Sequence, residues 1–381
     1  MKFPLLLEQG EFFDRKQTND LVMKLENSKT IFTLASATSI KKQWQGHLLA
    51  IAIVAALLIV TIVATAAVGS TSIPLSTVCS ILLDRLPFIH LSPTWTESLE
   101  TIVVDIRLPR VVMAGLTGAA LAVAGATYQG LFRNPLADPY LIGVAQGAAL
   151  GAVAGFLLPT PWQNMSVPIF AFIGALSAVA IVYSVAKVGK TLPLTTLVLA
   201  GVAIGALFAA ITSYLMFASG EKLHGVLSWL LGTFSLAAWW QVTVIAPYVV
   251  AGIIAIWLFA RPLNVMQLDE EQAQQLGVDV EKVKLYLLAA ATLITAAAVC
   301  FCGVIGFVGI VVPHAVRIIW GPDHRFLLPL ATFAGAALLI LADTAARSLL
   351  SPTEIPIGVI TAFLGAPFFL YLLRQKKRMI F

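Results

Sequence analysis

Long apolar runs dominate this chain of 381 residues. The hydrocarbon core of a bilayer is about 30 Å thick, and an α-helix needs about 20 apolar residues to cross it. Candidate helices of this kind lie at residues 47–69, 108–130, 140–158, 167–187, 194–217, 239–260, 284–302, 303–319, 327–345 and 356–373. The sequence therefore predicts an all-α integral membrane protein with about ten transmembrane helices.

Charged residues are scarce. They make up 11% of the chain, against about 25% in a typical soluble domain, and 59% of the positions are hydrophobic. The two terminal segments, 1–45 and 374–381, hold 16 of the 43 charges, so the 328 residues between them carry only 27. A soluble fold of this size needs far more polar surface. The composition excludes a soluble enzyme. The sequence also lacks the basic face interleaved with aromatic residues that is typical of a nucleic-acid-binding protein.

The number of spans depends on the region around Gly303. One long helix there gives nine spans, and a break gives ten; the neighbouring glycines and Pro313 favour the break. Ten spans also place 19 of the 24 Lys and Arg residues on the side of both chain ends, as the positive-inside rule requires. We therefore predict a polar cytoplasmic tail at 1–45 and a transmembrane domain at 46–378, with both termini inside.

The chemistry of an enzyme is not visible in the sequence. Gly189-Lys190-Thr191 resembles the end of a phosphate-binding P-loop, but Ser184 stands where the first glycine is needed, so the loop that cradles phosphates is missing. Any ATP chemistry must then belong to another subunit. The histidines and cysteines have no spacing typical of a metal site. His314 has two interpretations: a histidine packed in the core, or a functional group. We expect no catalytic residue, no metal and no cofactor bound by this chain.

A few charges lie near predicted span ends, where burial is expensive. Asp105, Arg107 and Arg110 belong to the outer end of the second span, and Asp343 and Arg347 to the outer end of the ninth. Two readings are open for them. They form structural ion pairs, or the arginines form an exposed basic ring that receives an acidic partner, because guanidinium groups bind carboxylates in a rigid fork.

The longest polar loop within the bundle runs from 261 to 284 and is predicted to be cytoplasmic. Ala273, Leu276, Val280 and Val283 have helical spacing, and Gly277 is placed to end a short helix. An amphipathic helix of this kind is a natural docking element for a soluble protein. The other reading is an ordinary solvated connector.

Four stretches together resemble one family, the FecCD-type permease subunits of bacterial ABC importers for ferric siderophores, haem or cobalamin. They are Arg107-Leu108-Pro109-Arg110 with the segment from Gln129 to Gly143, the loop from Leu268 to Val278, the segment from Gly306 to Arg325 with Pro313-His314, and the segment from Ala342 to Pro367. In order and spacing they cover nearly all of residues 46–378. The tail at 1–45 departs from the family, whose members start close to the first span, and Met23 is an alternative start.

This resemblance implies an architecture and a set of partners. The fold is expected to be the type II ABC importer permease bundle, working in the cytoplasmic membrane as a homodimer or heterodimer. Two ATPase subunits holding ATP and Mg²⁺ bind below it, and a substrate-binding protein docks above. The matched positions are Arg107, Arg110 and Arg347 for binding-protein docking; Leu268, Asp269, Glu270, Glu271, Ala273, Leu276 and Gly277 for ATPase coupling; and Thr195 and Thr196 for the gate of the translocation path.

The predicted cargo is a large, preformed metal chelate, with a ferric siderophore favoured as the commonest class in the family and cobalamin or haem as alternatives. An ion-coupled secondary carrier is the rival from another class. Such a carrier needs acidic or other ion-binding groups near mid-membrane, and the spans show no cluster of them.

Overall fold

The computed structural model describes residues 44–378 apart from 70, 71, 86, 88, 90 and 160–162. Residues 1–43 of the predicted tail, with the alternative start at Met23, lie outside the described residues.

The described chain is a succession of α-helices. In order they are α1 (Trp44–Ala67), α2 (Leu75–Asp84), α3 (Glu97–Leu131), α4 (Val144–Leu157), α5 (Gln163–Ala186), α6 (Leu194–Phe217), α7 (Leu223–Leu230), α8 (Trp239–Leu258), α9 (Ala260–Val265), α10 (Glu270–Gln275), α11 (Val280–Cys302), α12 (Val308–Trp320), α13 (His324–Ser348) and α14 (Ile357–Arg378). Within the described residues, seven of these helices are long and apolar enough to cross a membrane: α1, α3, α5, α6, α8, α11 and α13.

The remaining predicted spans coincide with the shorter helices α4 and α12 and with the apolar part of α14, Ile357–Tyr371. The prediction of an all-α membrane protein with about ten such helices is confirmed. Some boundaries differ. The third predicted span, 140–158, begins instead at Val144, because Pro139–Ile142 forms a 3₁₀ turn and Gly143 follows it in the left-handed conformation with φ 85°.

A π-helical segment interrupts α3 at Ile102–Arg107. Its cause lies in the next turn, where Pro109 has no backbone N–H to donate to a carbonyl in the preceding turn. The carbonyl of Val104 accepts a hydrogen bond from the indole Nε1 of Trp239 instead, at 2.9 Å. The wider turn, of a kind often found at functional sites, sets the direction in which Arg107 leaves the helix.

Glycines allow the central helices to approach closely. A Cβ atom built on Gly125 of α3 would lie 1.9 Å from the carbonyl oxygen of Gly309 on α12. A Cβ on Gly147 of α4 would lie 2.4 Å from the carbonyl oxygen of Gly174 on α5. Small residues have this role where apolar lipid supplies no hydrophobic drive for helix association. Gly147 therefore serves close packing between α4 and α5.

The predicted break near Gly303 is also confirmed. Gly303 has φ 77° and ends α11, and a Cβ there would lie 1.9 Å from the carbonyl oxygen of Trp229. Phe307 also has a positive φ, 69°, immediately before α12 begins. The extended segment between them is tied to the bundle by the hydroxyl of Tyr140, which donates to the Ile305 carbonyl at 3.0 Å.

Candidate functional site

The predicted functional residues form two clusters at opposite ends of α3. We call Arg107, Arg110, Asp343, Arg347 and Glu354 the arginine cluster, and it lies where α3 leaves its π-helical segment. The second cluster is built around the loop between α8 and α11, beyond the other end of α3. Helix α3 spans the distance between them, and most of its length is buried.

Arg110 is the centre of the arginine cluster. Its Nε and Nη2 donate to the carboxylate of Asp343 on α13 at 2.8–3.1 Å, and its Nη1 and Nη2 donate to Glu354 at 2.8 and 3.1 Å. The side chain of Asp343 is only 2% exposed, whereas that of Glu354, in the loop before α14, is 39% exposed. Burial opposes ionisation of Glu354, but the hydrogen bonds from Arg110 and Ser235 prevail and lower its pKa.

The other two arginines bind the last turn of α1. Arg107 donates from Nη1 to the carbonyl oxygens of Ala66 and Ala67 at 2.8 and 2.9 Å, and Arg347 donates from Nη2 to that of Thr65 at 2.7 Å. The last four carbonyls of a helix have no partner within the helix, and its C-terminus favours positive charge. Both side chains are buried, and together they hold the end of α1 against α3 and α13.

These contacts bear on the two interpretations of the outer charges. Arg110 and Asp343 form the ion pair that the structural interpretation expects, with side chains only 12% and 2% exposed. The expected exposed basic ring is not present in this conformation, because Arg107 and Arg347 are buried against backbone oxygens of their own chain. Binding-protein docking by Arg107, Arg110 and Arg347 stays a prediction.

The predicted short helix in the polar loop is confirmed as α10. It ends at Gln275, and Gly277 follows in the left-handed conformation with φ 83°, as expected of a residue that stops a helix. Val280 and Val283 of the predicted pattern lie instead in the next helix, α11, because the chain turns at Gly277. Ala273 is buried under α10, whereas Leu268 and Leu276 are exposed, Leu276 by 63%. An exposed leucine at each side of a charged helix gives a soluble protein an apolar contact.

One side of this loop is attached to the end of α3. Arg133, which follows α3 with φ 50°, donates from Nη1 to the Leu268 carbonyl at 3.1 Å and to the Asp269 carboxylate at 3.0 Å. Gln267 donates from Nε2 to the carbonyl of Gly130 at 2.9 Å. The Arg133–Asp269 ion pair is exposed on both sides, so it adds little to stability.

The other side of the loop is attached through Lys284, a residue that sequence reasoning missed. Its Nζ lies 2.9 Å from a carboxylate oxygen of Glu270 on α10 and 2.9 Å from one of Glu281 on α11. The same Nζ donates to the Leu192 carbonyl at 3.4 Å, and the second oxygen of Glu281 accepts from the Leu192 N–H at 2.8 Å. In the sequence, Lys284 is a positive charge beside an apolar run. Glu281, three positions earlier, was the sequence signal that could have indicated an ion pair on one helix face.

The two predicted gate residues follow soon after Leu192. Thr195 is exposed and Thr196 is half-buried, both in the first turn of α6. The structure brings this turn next to the Lys284 contacts, and the gating role of the two threonines stays a prediction.

A third set of contacts fixes the start of α13 beside α9. Asp323 caps α13, accepts from the backbone N–H of Arg325 at 3.0 Å and accepts from Asn264 Nδ2 at 2.7 Å. Burial raises the pKa of the Asp323 carboxyl, but the hydrogen bonds from Arg325 and Asn264 outweigh burial and hold this pKa at about 2. His314, the other singled-out residue of this region, packs edge-on against Phe368 with ring centroids 6.3 Å apart. This contact favours its packing reading.

Comparison with known proteins identifies the family. The profile of the FecCD transport family matches residues 56–375, which include nine of the ten predicted spans in full and most of the first. The chain belongs to the FecCD transport family. It is therefore a FecCD-type permease subunit of an ABC importer. Within the described residues, no group of three His, Cys, Asp or Glu side chains is placed to hold a metal ion.

Curated relatives of this FecCD-type permease are permeases with different cargoes. It is 49% identical to the cobalamin import permease BtuC of Halobacterium salinarum, over 74% of this chain and 75% of that protein. It is 44% identical to the hemin permease HmuU of Yersinia pestis, over 72% and 84%, and 38% identical to the ferric dicitrate permease FecD of Escherichia coli, over 72% and 86%.

A solved structure confirms the fold. An inward-facing ABC transporter of the metal-chelate type superposes on this chain with a TM-score of 0.74 and 29% identity, covering 85% of this chain and 98% of the other. The type II importer bundle that the sequence predicted is thus the observed fold.

Proposed function

We propose that this permease passes a preformed metal chelate across the cytoplasmic membrane, using ATP that a separate subunit hydrolyses. The observation that carries the proposal is the match of the FecCD family to residues 56–375. Two copies of the chain, or this chain and a paralogue, enclose the path between them. A binding protein delivers the chelate from outside.

Cobalamin is the first cargo to test. The sequence alone favoured a ferric siderophore, but the 49% identity to a cobalamin permease exceeds the 44% and 38% to the hemin and ferric dicitrate permeases. Identity is an indirect guide to cargo, because a few residues lining a path change its selectivity. Ferric siderophores and haem therefore stay as rivals within the same class.

The charge distribution supports an ATP-driven permease over an ion-coupled carrier. Among the described residues, the buried acidic side chain is that of Asp343, and Arg110 neutralises it near one end of α13. A carrier that couples to protons or sodium places such groups near mid-membrane. A path without strong ligands also releases a bulky cargo instead of trapping it.

ATP hydrolysis supplies the energy for transport, and differential binding to two states converts it into movement. Nucleotide on the ATPase subunits and a docked binding protein each shift the balance between inward-facing and outward-facing forms. On this chain, α10 with Leu268 and Leu276 is the proposed contact for the ATPase. The start of α6, with Thr195 and Thr196, is the proposed constriction that opens and closes.

The test starts with the cognate binding protein, whose fluorescence is followed as cyanocobalamin, ferrichrome or haemin is added. The chelate that quenches it is then offered to proteoliposomes containing the permease and its ATPase. We expect uptake of cyanocobalamin that needs ATP and stops with an ATPase variant unable to hydrolyse it. Uptake by the permease alone on an ion gradient would establish the secondary carrier and refute the proposal.

A further inference from the structure

The contacts of Lys284 join three parts of the chain that the proposed function treats separately. They are α10, proposed to meet the ATPase; α11, into which the loop continues; and Leu192, which precedes α6 and the proposed gate. The Lys284 side chain is 2% exposed, whereas the side chains of Glu270 and Glu281 are 39% and 30% exposed, so the ammonium end of these contacts is shielded from water. We propose that Lys284, held by Glu281, transmits movement of α10 to the start of α6 and so couples ATP hydrolysis to the gate. This inference rests on the proposed function.

The first step is the attachment of α10. Glu270 begins this six-residue helix, and its carboxylate lies 2.9 Å from Lys284 Nζ. The other attachment of the loop, the Arg133–Asp269 pair, has side chains exposed by 38% and 74%. A pair exposed on both sides is screened and contributes little, whereas a charge-assisted hydrogen bond whose cation is buried is screened less and is stronger. Lys284 is therefore the firmer of the two charged attachments of α10.

The second step is the attachment of Leu192. Both of its backbone polar groups are held by side chains of α11: its N–H donates to Glu281 at 2.8 Å, and its C=O accepts from Lys284 at 3.4 Å. Its own side chain is buried as well. A backbone position fixed on both polar groups follows the helix that holds it.

The third step is the short connection from Leu192 to the gate. Pro193 comes next, with φ −66°, and α6 begins at Leu194. Proline restricts this backbone dihedral, so little freedom separates Leu192 from the first turn of α6, where Thr195 and Thr196 lie. A displacement of α10 therefore reaches this turn through the side chains of Glu270 and Lys284 and then through the backbone of residues 192–193.

The inference predicts that Lys284→Met uncouples hydrolysis from uptake. The substitution removes the buried charge itself and keeps an unbranched apolar chain of similar length. The two carboxylates it leaves are 39% and 30% exposed, so water can solvate them and the fold is expected to survive. Lys282→Met is the matched control, because Lys282 lies two positions away, its side chain is 85% exposed, and it pairs with the exposed Asp279.

The experiment uses the complete transporter in proteoliposomes, with cyanocobalamin as the cargo. We expect Lys284→Met to retain ATPase assembly and ATP hydrolysis, while uptake per ATP falls at least about five-fold, the lower end of usual coupling between sites. Lys284→Arg keeps the cation and should recover part of the coupling. Glu281→Gln, which weakens the hold on Leu192, should give a similar loss. Its effect should not add to that of Lys284→Met, because both break one path.

A second measurement does not depend on the cargo. Spin labels at Gln275→Cys and Lys190→Cys, two exposed positions, report the distance between α10 and the turn before α6. Cys79→Ser removes the half-buried native thiol, and Cys300 and Cys302 are buried. We expect a narrow distance distribution in the wild type that ATP, Mg²⁺ and vanadate leave unchanged, because the two elements move together. Lys284→Met should broaden it, and Lys282→Met should not.

The possible failures can be told apart. If Lys284→Met is folded, keeps the wild-type ratio of uptake to hydrolysis and keeps a narrow label distance, the role of Lys284 is refuted and the proposed function stands. If the wild-type chain does not bind an ATPase subunit at all, the proposed function fails and this inference fails with it.

Discussion

Arg110 makes three hydrogen bonds to Asp343, a residue 233 positions later in the chain, and so joins α3 to α13. The contact lies where both helices also hold the last turn of α1. The contact stabilises one arrangement of α1, α3 and α13. From the sequence, the same charged groups are equally suited to an exposed surface that docks a binding protein. A structural role and a docking role are distinguished by two experiments, on Asp343 and on Arg107.

Removing Asp343 should destabilise the protein strongly. Among the described residues, Asp343→Ala leaves Arg110 with Glu354 as its remaining acidic partner. Breaking a buried pair costs about 3–5 kcal/mol. Thermal unfolding in detergent, followed by tryptophan fluorescence, measures the effect. Glu354→Gln is the control, because the Glu354 side chain is 39% exposed and should cost about 1 kcal/mol or less. Equal losses in both variants would contradict the assigned roles.

Docking is tested best at Arg107. Arg107→Gln removes the charge while its amide can still donate to the carbonyls at the end of α1, so the fold should persist. If Arg107 also attracts an acidic binding protein, the Kd for docking should rise several-fold at low salt, and the difference should shrink as salt screens the charge.

Surface plasmon resonance on nanodisc-embedded permease measures this change. Arg85→Gln is the control, since Arg85 lies before α3, has an exposed side chain and pairs with Glu100. A docking affinity for Arg107→Gln that matches the wild type at low salt would leave Arg107 as a structural residue only.

Leu276 should contribute strongly to ATPase binding. It is the more exposed of the two leucines beside α10, and an apolar anchor at an interface centre contributes about 2 kcal/mol or more, roughly 30-fold in affinity. Leu276→Asp should therefore reduce co-purification of the ATPase subunit without changing thermal stability. Gln274→Ala, in the same exposed helix, is the control. Intact ATPase binding by Leu276→Asp would exclude the leucine from the interface.

The sequence predicted most of the fold because the bilayer fixes the length of a span and because glycine marks a left-handed backbone. The run from 284 to 319 divides at Gly303, as the neighbouring glycines, Pro313 and the placement of the basic residues predicted. The short helix before Gly277 was likewise visible from spacing alone. These features are set by residues close together in the chain, so a single sequence is enough to predict them.

The roles of single charges were not predictable in the same way. Arg110 and Asp343 were recognised as candidates, but whether they meet each other or a partner depends on how α3 packs on α13. The role of Lys284 was not predicted because two of its three partners are distant in sequence: Glu270, 14 residues earlier, and the backbone of Leu192, 92 residues earlier. Only the packed structure brings them together.

A side chain at Gly125 should disrupt the core. A Cβ there would lie 1.9 Å from the carbonyl oxygen of Gly309, so Gly125→Ala forces α3 and α12 apart, and overpacking of this kind costs about 1–3 kcal/mol. Gly306→Ala is the control, because a Cβ at Gly306 has no neighbour within 4 Å. The difference in unfolding temperature between the two variants measures the effect. Equal stabilities would show that the two helices can separate without cost.

The carboxylate of Asp323 should make stability depend on pH in the acid range. Its pKa is about 2 in the folded protein and about 3.9 in an unfolded chain, so the folded state favours the ionised form. This contribution is complete above about pH 4 and is lost as the pH falls through about 2, because the unfolded state then binds the proton first. Asp323→Asn keeps a side-chain oxygen that can cap α13 but has no charge to lose. Unfolding temperatures measured from pH 5 to pH 2 should therefore fall less steeply for Asp323→Asn than for the wild type, and parallel curves would show that Asp323 does not supply this dependence.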